Sequence, residues 1–442
     1  MAGTPNLETI STRQGRIAEL AQRMPGTALK TLAHHMDLSW LHEAWRLTRH
    51  RGAPGVDGLT ADDYEVNLMS NLTTLLDRAK TGLYQAPPVR RVHIPKGEGK
   101  VRPIGIPTIE DKVLQRAVVM LLEPVYEQDF YPFSYGFRPG KSAHDALEAL
   151  DKVLYERGGG WVLEVDIQAF FDSLDHEKLR ELLSQRVVDG VVLRLIGKWL
   201  NAGVLEGGVM HRSVQGTPQG GVISPLLANI FLHEVVDTWW VRDVKPRMQG
   251  QADLIRYADD FVMVFTSEAD ARRIQEVLPK RMARYGLTLH PEKTRLIPFG
   301  RPRPDGSSPR PGSFDFLGFT HYWGKSRRGF WVPQRKTAAS RFRRGLKAIG
   351  SWLRFNRHKP VEWQAKGLGL KLRGHMGYYG MQGNSRQISR FHHAVRRLWR
   401  YWLDRRSQRA RMTWDKFTRL LGAYPLPPAV LAPRWRTTPA KP

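Results

Sequence analysis

The chain has 442 residues, 41% of them apolar, and this length predicts about three structural units with substantial cores. Its 69 Lys and Arg residues outnumber its 42 Asp and Glu residues, and the formal charge of +27 favours a polyanionic partner, most simply nucleic acid. Cys is absent, which excludes disulfides, a thiol nucleophile and Cys-ligated zinc, and the lack of a signal-peptide core or an apolar run of about 18 residues favours a cytoplasmic protein without a membrane partner.

Helices and short strands are predicted in the first half of the chain from apolar spacing and turn residues. Residues 1–85 are expected to be mostly helical and polar. The segment "PPVRRVHIPKGEGKVRPIGIPT" predicts a strand, a Gly-containing turn and a second strand. Residues 109–155 are expected to be helical on both sides of the turn-rich "DFYPFSYGFRPGKS". The next segment, "WVLEVDIQAFFDSLDH", predicts a short buried strand that runs into a helix.

A glycine loop and two strand pairs are predicted in the second half. "GTPQGGVISPLLANIFLHEVV" predicts a Gly loop that leads into a helix, with Ser224 as its N-cap and Pro225 in its first turn. "LIRYADDFVMVF" predicts a hairpin, and a helix is expected near 268–285. Residues 300–312 predict a loop, and "FDFLGFTHYWGKSRRGFWVP" predicts a strand pair.

From about residue 336 the chain becomes rich in Lys, Arg and aromatic residues and poor in acidic ones. Apolar residues at spacings of three and four predict an amphipathic helix with arginines on its other face. The apolar stripe is Ile388, Phe391, Val395, Leu398 and Trp402. Such a mixture suits a groove that grips phosphates and stacks bases, although Phe391, Leu398 and Trp402 are expected to fill a helical core.

Three aspartates point to a metal site. Asp259 and Asp260 lie side by side between two apolar runs, and a solvated acidic turn would by itself explain them. Asp166 directly follows a buried-looking strand, and a βαββ sheet would bring all three carboxylates to one edge. Three such carboxylates require divalent cations, and two Mg²⁺ ions, or Mn²⁺ in their place, can align a 3′-hydroxyl with an incoming phosphate. Asp166 and Asp259 are expected to bridge the metals, with Asp260 in an outer position.

The chain resembles bacterial group II intron-encoded reverse transcriptases, which double as maturases. The matching motifs, in order, are "APGVDG", "IPKGEGKVRPIGIPT", "YGFRPGKS", "VDIQAFFDSLDH", "GTPQGGVISPLLANIFL", "RYADD", "HPEKT" and "FDFLGF". The resemblance covers nearly the whole chain. The resemblance implies an α+β fold with right-hand polymerase architecture. The expected parts are an N-terminal helical extension with the start of the fingers (1–85), fingers (86–160), a βαββ palm (161–335), a helical thumb or X domain (336–410) and a short DNA-binding-like tail (411–442).

The resemblance also implies residues that contact the nucleotide. Phe170 would be a steric gate that excludes the 2′-hydroxyl of a ribonucleotide, with Phe171 as a core aromatic beside it. Gln219 would lie near the nascent base pair. Lys96 and Arg102, on opposite arms of the first hairpin, can hold a triphosphate, Arg by its fork and Lys as a point charge.

The other cations are assigned to the rest of the substrate. Lys293 in "HPEKT" would lie near the leaving pyrophosphate, or would be a solvated loop residue. Arg138 in "FRPG" would serve the template or the structure of the fingers. Arg373, Arg396 and Arg397 would bind template–primer or RNA. The motif "LRGHMGYY" departs from the commoner family version at His375 and Gly377, which leaves the subclass open.

The expected partners are intron RNA, an RNA template, a DNA primer or target and dNTPs, with no obligate protein partner, in a nucleoid-associated bacterial cytoplasm. No endonuclease domain is expected. Two alternatives stay open: an RNA-binding splicing factor whose polymerase activity is incidental, and a reverse transcriptase recruited by the host for phage defence or CRISPR spacer acquisition.

Overall fold

The computed structural model describes residues 9–97, 100–206, 209–211, 220–303, 311–407 and 411–431, and it leaves out the side chains of residues 95–97 and 100. The fold is mixed α and β, as predicted. The helices are α1 (Ile10–Arg23), α2 (Leu38–Leu47), α3 (Ala61–Glu65), α4 (Leu68–Thr81), α5 (Ile109–Asp129), α6 (Ala143–Arg157), α7 (Phe170–Ser173), α8 (His176–Ser184), α9 (Gly190–Leu200), α10 (Ser224–Leu232), α11 (Glu268–Arg284), α12 (Ala339–Phe355), α13 (Val361–Tyr379), α14 (Ser385–Asp404) and α15 (Trp414–Ala423).

The strands are β1 (Val89–Gly97), β2 (Lys100–Ile106), β3 (Trp161–Asp166), β4 (Val204–Glu206), β5 (Val209–His211), β6 (Ala252–Tyr257), β7 (Asp260–Phe265), β8 (Arg295–Pro298), β9 (Phe314–Phe316), β10 (Phe319–Lys325) and β11 (Trp331–Thr337). The chain divides into two compact units, Met1–Leu150 with Val162–Leu296, and Asp151–Trp161 with Ile297–Lys441. The finer bounds of fingers, palm and thumb stay predictions.

The first unit is built around the long helix α5. The side chain of Thr108 accepts a hydrogen bond from the Asp111 N–H and caps α5, and Asp37 caps α2 in the same way. Trp40 of α2 is fully buried and donates its indole N–H to the carbonyl oxygen of Ala117 at 3.0 Å. The predicted helical character of the first 85 residues is confirmed for the part described.

The predicted first hairpin is present and belongs to a larger sheet. β1 and β2 are antiparallel, with Ile94 opposite Arg102. β4 joins β1 in parallel, with Val89 opposite Val204, and the sheet has the order β2-β1-β4-β5. The hairpin is therefore hydrogen-bonded to the strands that precede the predicted Gly loop.

A second sheet of order β6-β7-β3-β8 contains the three aspartates. β6 and β7 form the predicted hairpin, and Phe261–Phe265 is buried throughout, which explains its continuous apolar sequence. The predicted helix after this hairpin is confirmed as α11, which the Ser267 side chain caps.

The helix after the Gly loop differs from the prediction at both ends. It begins at Ser224, with Ile223 as its N-cap, and the Ile223 N–H donates to the side-chain oxygen of Gln115 at 3.2 Å. The prediction that Ser224 is the N-cap is therefore wrong. At its other end α10 continues into π-helical turns at His233–Thr238 and Trp240–Val244, a rare form that is frequent near functional sites.

The second unit combines a three-stranded sheet of order β11-β10-β9 with α12–α15. The expected strand pair gains a third strand because Leu317 and Gly318, both with positive φ, turn the chain between β9 and β10. Among the described residues, no helix combines the length and apolarity needed to cross a bilayer.

Helix α14 is amphipathic, as predicted, but its buried stripe shifts. Phe391 is buried as expected, whereas the fully buried positions that follow Val395 are Trp399 and Leu403. Leu398 and Trp402 are only partly buried, so the prediction that they fill the core is wrong in this respect. At 3.6 residues per turn, Trp399 lies only about 20° around the axis from Ile388, whereas Leu398 lies about 80° away.

Candidate active site

The paired aspartates lie at the tip of the β6–β7 hairpin. Tyr257 pairs with Asp260, so Ala258 and Asp259 form the two-residue turn and Asp260 is the first residue of β7. Ala258 has φ of 55°, a left-handed conformation that is uncommon for a residue with a side chain. Both carboxylates are half-buried. The turn therefore exposes part of each carboxylate beside a buried sheet.

Asp166 is the last residue of β3, the strand that neighbours β7. Its backbone carbonyl accepts a hydrogen bond from the His290 N–H at 2.8 Å, which fixes the start of the "HPEKT" segment beside it. Its carboxylate Oδ2 lies 2.5 Å from Nζ of Lys293. Lys293 is thus an ion-pair partner of Asp166 in this structure, with 57% of its side chain exposed.

The donor chemistry of the three aspartates suits a hard divalent cation, because carboxylate oxygens are the ligands that Mg²⁺ and Mn²⁺ prefer. Within the described ranges, however, no three His, Cys, Asp or Glu side chains form a group that could hold a metal ion. The ligand set of Asp166, Asp259 and Asp260 therefore stays a prediction.

The predicted triphosphate residues lie on the first hairpin. Arg102 is exposed on β2, opposite Ile94 of β1. Lys96 belongs to β1, but its side chain lies outside the described part of the chain, as does Gln219 as a whole.

Gly220 shows how closely the Gly loop approaches the hairpin. With φ of 123°, a Cβ on this residue would lie 2.2 Å from the carbonyl oxygen of Gly105 in β2. Only glycine fits there, both for its conformation and for the space. Gly220, four residues before α10, is therefore in direct contact with the strand that carries Arg102.

The steric-gate candidate is a core residue in this structure. Phe170 is 3% exposed, and its ring centroid lies 5.4 Å from that of Phe171 and 6.4 Å from that of Phe231. Phe171 is half-buried. Of the two rings, Phe170 is therefore the core aromatic, which is the reverse of the expectation, and its role as a gate stays a prediction.

Arg138 has a structural environment. It is buried, and its guanidinium makes a forked ion pair with the carboxylate of Glu127. Its Nη1 donates to the carbonyl oxygens of Tyr131 and Ser134 at 2.7 and 2.8 Å. These contacts favour the fingers structure over the template, because binding a phosphate would first require breaking them.

The arginines predicted to bind RNA lie in the second unit. Arg373 on α13 and Arg397 on α14 are exposed, and Arg396 is half-buried. Their positions are compatible with phosphate contacts, and their role stays a prediction.

One pair of residues near the aspartates was missed by sequence reasoning. Arg256 and Asp237 are fully buried and form an ion pair, with Nε–Oδ1 and Nη2–Oδ2 distances of 2.7 and 2.5 Å. A signal was present, since Arg256 is a lone charge inside the apolar run "LIRYA", and a buried charge needs a buried partner.

A second buried acid lies near the Gly loop. Asp111 accepts hydrogen bonds from the Tyr84 hydroxyl and the Trp199 indole at 2.6 Å each, and from Gln115 at 3.0 Å. Burial raises the pKa of Asp111 to about 6, although these three donors oppose the shift. Gln115 also holds the Ile223 N–H, so this network supports the entry into α10.

Comparisons with known proteins identify the family of the segment that contains these residues. A family model described as reverse transcriptase (RNA-dependent DNA polymerase) matches residues 94–321. The protein YkfC of Escherichia coli (strain K12) is 36% identical over 300 residues, which cover 60% of this chain and 79% of that protein. The group II intron-encoded protein LtrA of Lactococcus lactis subsp. cremoris is 43% identical over 178 residues, and the uncharacterized 91 kDa protein in the cob intron of Schizosaccharomyces pombe is 38% identical over 178 residues. The matched segment covers 40% of this chain in both cases, but only 29% of LtrA and 22% of the 91 kDa protein.

Proposed function

The chain belongs to the reverse transcriptase family, and from this premise we propose that it extends a primer on an RNA template with dNTPs and binds a group II intron RNA as its maturase. The observation that carries the proposal is the placement of Asp166, Asp259 and Asp260 on two neighbouring strands and the turn between β6 and β7. All three lie within the segment that matches the family. The right-hand fold follows from the family, and its division into fingers, palm and thumb is part of the proposal.

The chain's own residues supply binding and orientation. The three carboxylates would hold two Mg²⁺ ions, which when bound activate the primer 3′-hydroxyl and neutralise charge on the phosphates. Arg102 would hold the triphosphate on the exposed edge of the hairpin, and Lys96 would assist. Lys293 places a cation beside Asp166 and would face the leaving pyrophosphate. The contact between Gly220 and Gly105 would keep the Gly loop against the hairpin that grips the nucleotide.

Nucleic-acid binding is supported by charge. The +27 formal charge favours a polyanion, and the exposed Arg373 and Arg397 would contribute phosphate contacts. The relatives LtrA and the 91 kDa cob-intron protein, both named for introns, are the reason for proposing intron RNA as the bound RNA.

The test is primer extension on an RNA template with dNTPs and Mg²⁺, together with RNA binding measured on the same preparations. The double variant Asp259→Ala, Asp260→Ala is expected to make no DNA while it binds RNA as the wild type does. A matched control, Asp243→Ala with Glu268→Ala, removes the same charge from exposed ion pairs and should keep activity. If the wild type binds RNA but makes no DNA, the polymerase proposal fails and an RNA-binding splicing factor becomes the better account.

A further inference from the structure

Arg256 is a buried charge near the end of β6, an edge strand of the sheet that carries the aspartate turn. Its side chain is fully buried, and so is that of its partner Asp237. A buried ion pair is costly to desolvate and is retained only where the remaining donors are also satisfied. Here Nη1 of Arg256 donates to the side-chain oxygen of Asn229 at 3.1 Å and to the carbonyl oxygen of Ala258 at 3.0 Å.

The last of these contacts connects the guanidinium to the aspartate turn. The carbonyl group of Ala258 belongs to the peptide bond that leads into Asp259, so a hydrogen bond to that oxygen fixes the plane of this peptide. Ala258 itself holds a left-handed conformation, which costs energy for a residue with a side chain and persists only when its surroundings enforce it. The Arg256 hydrogen bond is one such constraint.

Gly136 supplies a second constraint on the same turn. Gly136 belongs to the loop between α5 and α6. A Cβ on Gly136 would lie 2.3 Å from the backbone nitrogen of Ala258, so this loop packs directly on the turn. The loop is held there by backbone hydrogen bonds from Tyr135 to Arg256 and from Arg256 to Phe133, each 2.9 Å. In addition, Asn229 donates from its side chain to the Gly136 carbonyl oxygen at 2.6 Å. Arg256 therefore connects all three parts: its backbone bonds to the loop, and its guanidinium bonds to the turn and to Asn229 of α10.

The π-helical turns explain how two residues of one helix reach the same guanidinium. Asn229 and Asp237 are eight residues apart, which in a regular α-helix places them about 80° apart around the axis. The wider turns at His233–Thr238 reduce the rotation per residue and bring the two side chains closer to one face.

We infer that Arg256, held by Asp237, is a positioning residue that sets the Asp259–Asp260 turn for catalysis. This inference rests on the proposed polymerase function. The opposing view is that the pair only stabilises the fold, and the chain contains a good example of such a pair. Arg186 makes a forked ion pair with Asp129, and its other contacts go to the carbonyl oxygens of Ala21, Met24 and Thr27 at the end of α1.

The two pairs therefore give a matched experiment. One double variant is Arg256→Met, Asp237→Leu, and its control is Arg186→Met, Asp129→Leu. Apolar replacement of both partners leaves no buried charge, so each variant is expected to fold. The measurements are the Tm, the affinity for RNA, kcat and the dNTP KM in primer extension, and Mn²⁺ binding by the protein alone, followed by electron paramagnetic resonance.

If Arg256 positions the turn, its double variant should lose about 100-fold in kcat, because small misplacements of catalytic groups are this costly. The dNTP KM and the RNA affinity should stay within a few-fold of the wild-type values. Mn²⁺ binding should weaken in this variant only. A kcat close to that of the Arg186 control, with unchanged Mn²⁺ binding, would overturn the inference. If the wild type makes no DNA, the proposed function fails, whereas weaker Mn²⁺ binding in the Arg256 variant would still support positioning.

Conservative variants cover the case in which a double variant does not fold. Arg256→Lys and Arg186→Lys each keep the charge beside the aspartate but lose the forked guanidinium. Arg256→Lys therefore loses the hydrogen bonds to Asn229 and Ala258, and Arg186→Lys loses those to the carbonyl oxygens near the end of α1. A large loss of kcat is expected for Arg256→Lys alone. Equal kcat values in the two Lys variants would reject the positioning role.

Discussion

The buried carboxyl of Asp111 makes the stability of the first unit depend on pH. Asp111 is 1% exposed and accepts hydrogen bonds from Tyr84, Trp199 and Gln115. Because burial raises its pKa from 3.8 to about 6, the folded state holds the proton more tightly than the unfolded chain does. The stabilising contribution of the protonated carboxyl is complete below the unfolded pKa and is lost as the pH rises through about 6.

The size of the effect follows from the difference of about two pKa units, at 1.36 kcal/mol for each unit, which gives about 3 kcal/mol between the two limits. Between pH 5 and pH 7, Asp111 alone should lower the free energy of unfolding by about 1 kcal/mol, which is less than half of the full difference. Asp111→Asn removes this titration, so the change in the free energy of unfolding from pH 5 to pH 7 should differ from that of the wild type by this amount.

The measurement is urea unfolding at pH 5, 6 and 7, followed by the total tryptophan fluorescence, to which Trp199 and the other 13 Trp residues contribute. Other groups titrate over the same range, so only the difference between wild type and variant is interpreted. Asp243→Asn, at an exposed position of the same unit, is the control. Equal pH slopes for wild type and Asp111→Asn would refute the reasoning.

Three further substitutions test contacts in the candidate site. Gly136→Ala should lower kcat about 10-fold or more without loss of RNA binding, because the new Cβ displaces Ala258; primer extension and RNA titration measure this, and an unchanged kcat would contradict it. Arg138→Ala should lower the free energy of unfolding by about 3 kcal/mol, because it leaves Glu127 and two carbonyl groups without their partner, and should leave template affinity unchanged. Selective loss of template binding at normal stability would favour the template role. Phe170→Ala should lower the free energy of unfolding by about 3–5 kcal/mol, and it should admit ribonucleotides if the residue is also a gate. Normal stability would argue against the buried position, and unchanged discrimination between ribose and deoxyribose would argue against the gate.

Local sequence patterns predicted most elements near the site. The β1–β2 hairpin, the β6–β7 hairpin and α11 follow from alternation, turn residues and caps, which act over short distances along the chain. The family prediction, an RNA-directed DNA polymerase similar to group II intron-encoded proteins, rested on the order of several motifs and is confirmed by the comparisons.

The errors concern which residues are buried, a property set by partners far away in sequence. Phe170 rather than Phe171 is the core ring because Phe231 of α10 packs against it. For Arg138 the sequence left two roles open, at the template or in the fingers structure, because it does not show that Glu127 and two carbonyl groups surround the guanidinium. In the same way, nothing local to Arg256 identifies Asp237 as its partner.

The parallel pairing of β1 with β4 affects the order in which the chain can assemble during synthesis. The hairpin is complete once β2 has been made, but β4 follows on the order of a hundred residues later, so this contact is slow to form. Until then one edge of β1 is open, and an open edge invites pairing with other chains. The basic residues of "VRRVHIPKG" protect that edge by repulsion. When β4 pairs with β1, Glu206 of β4 lies 3.5 Å from both Arg91 and His93. The β1 strand of another copy of the chain has no acidic residue to offer at this edge, so the charges favour β4 as the partner.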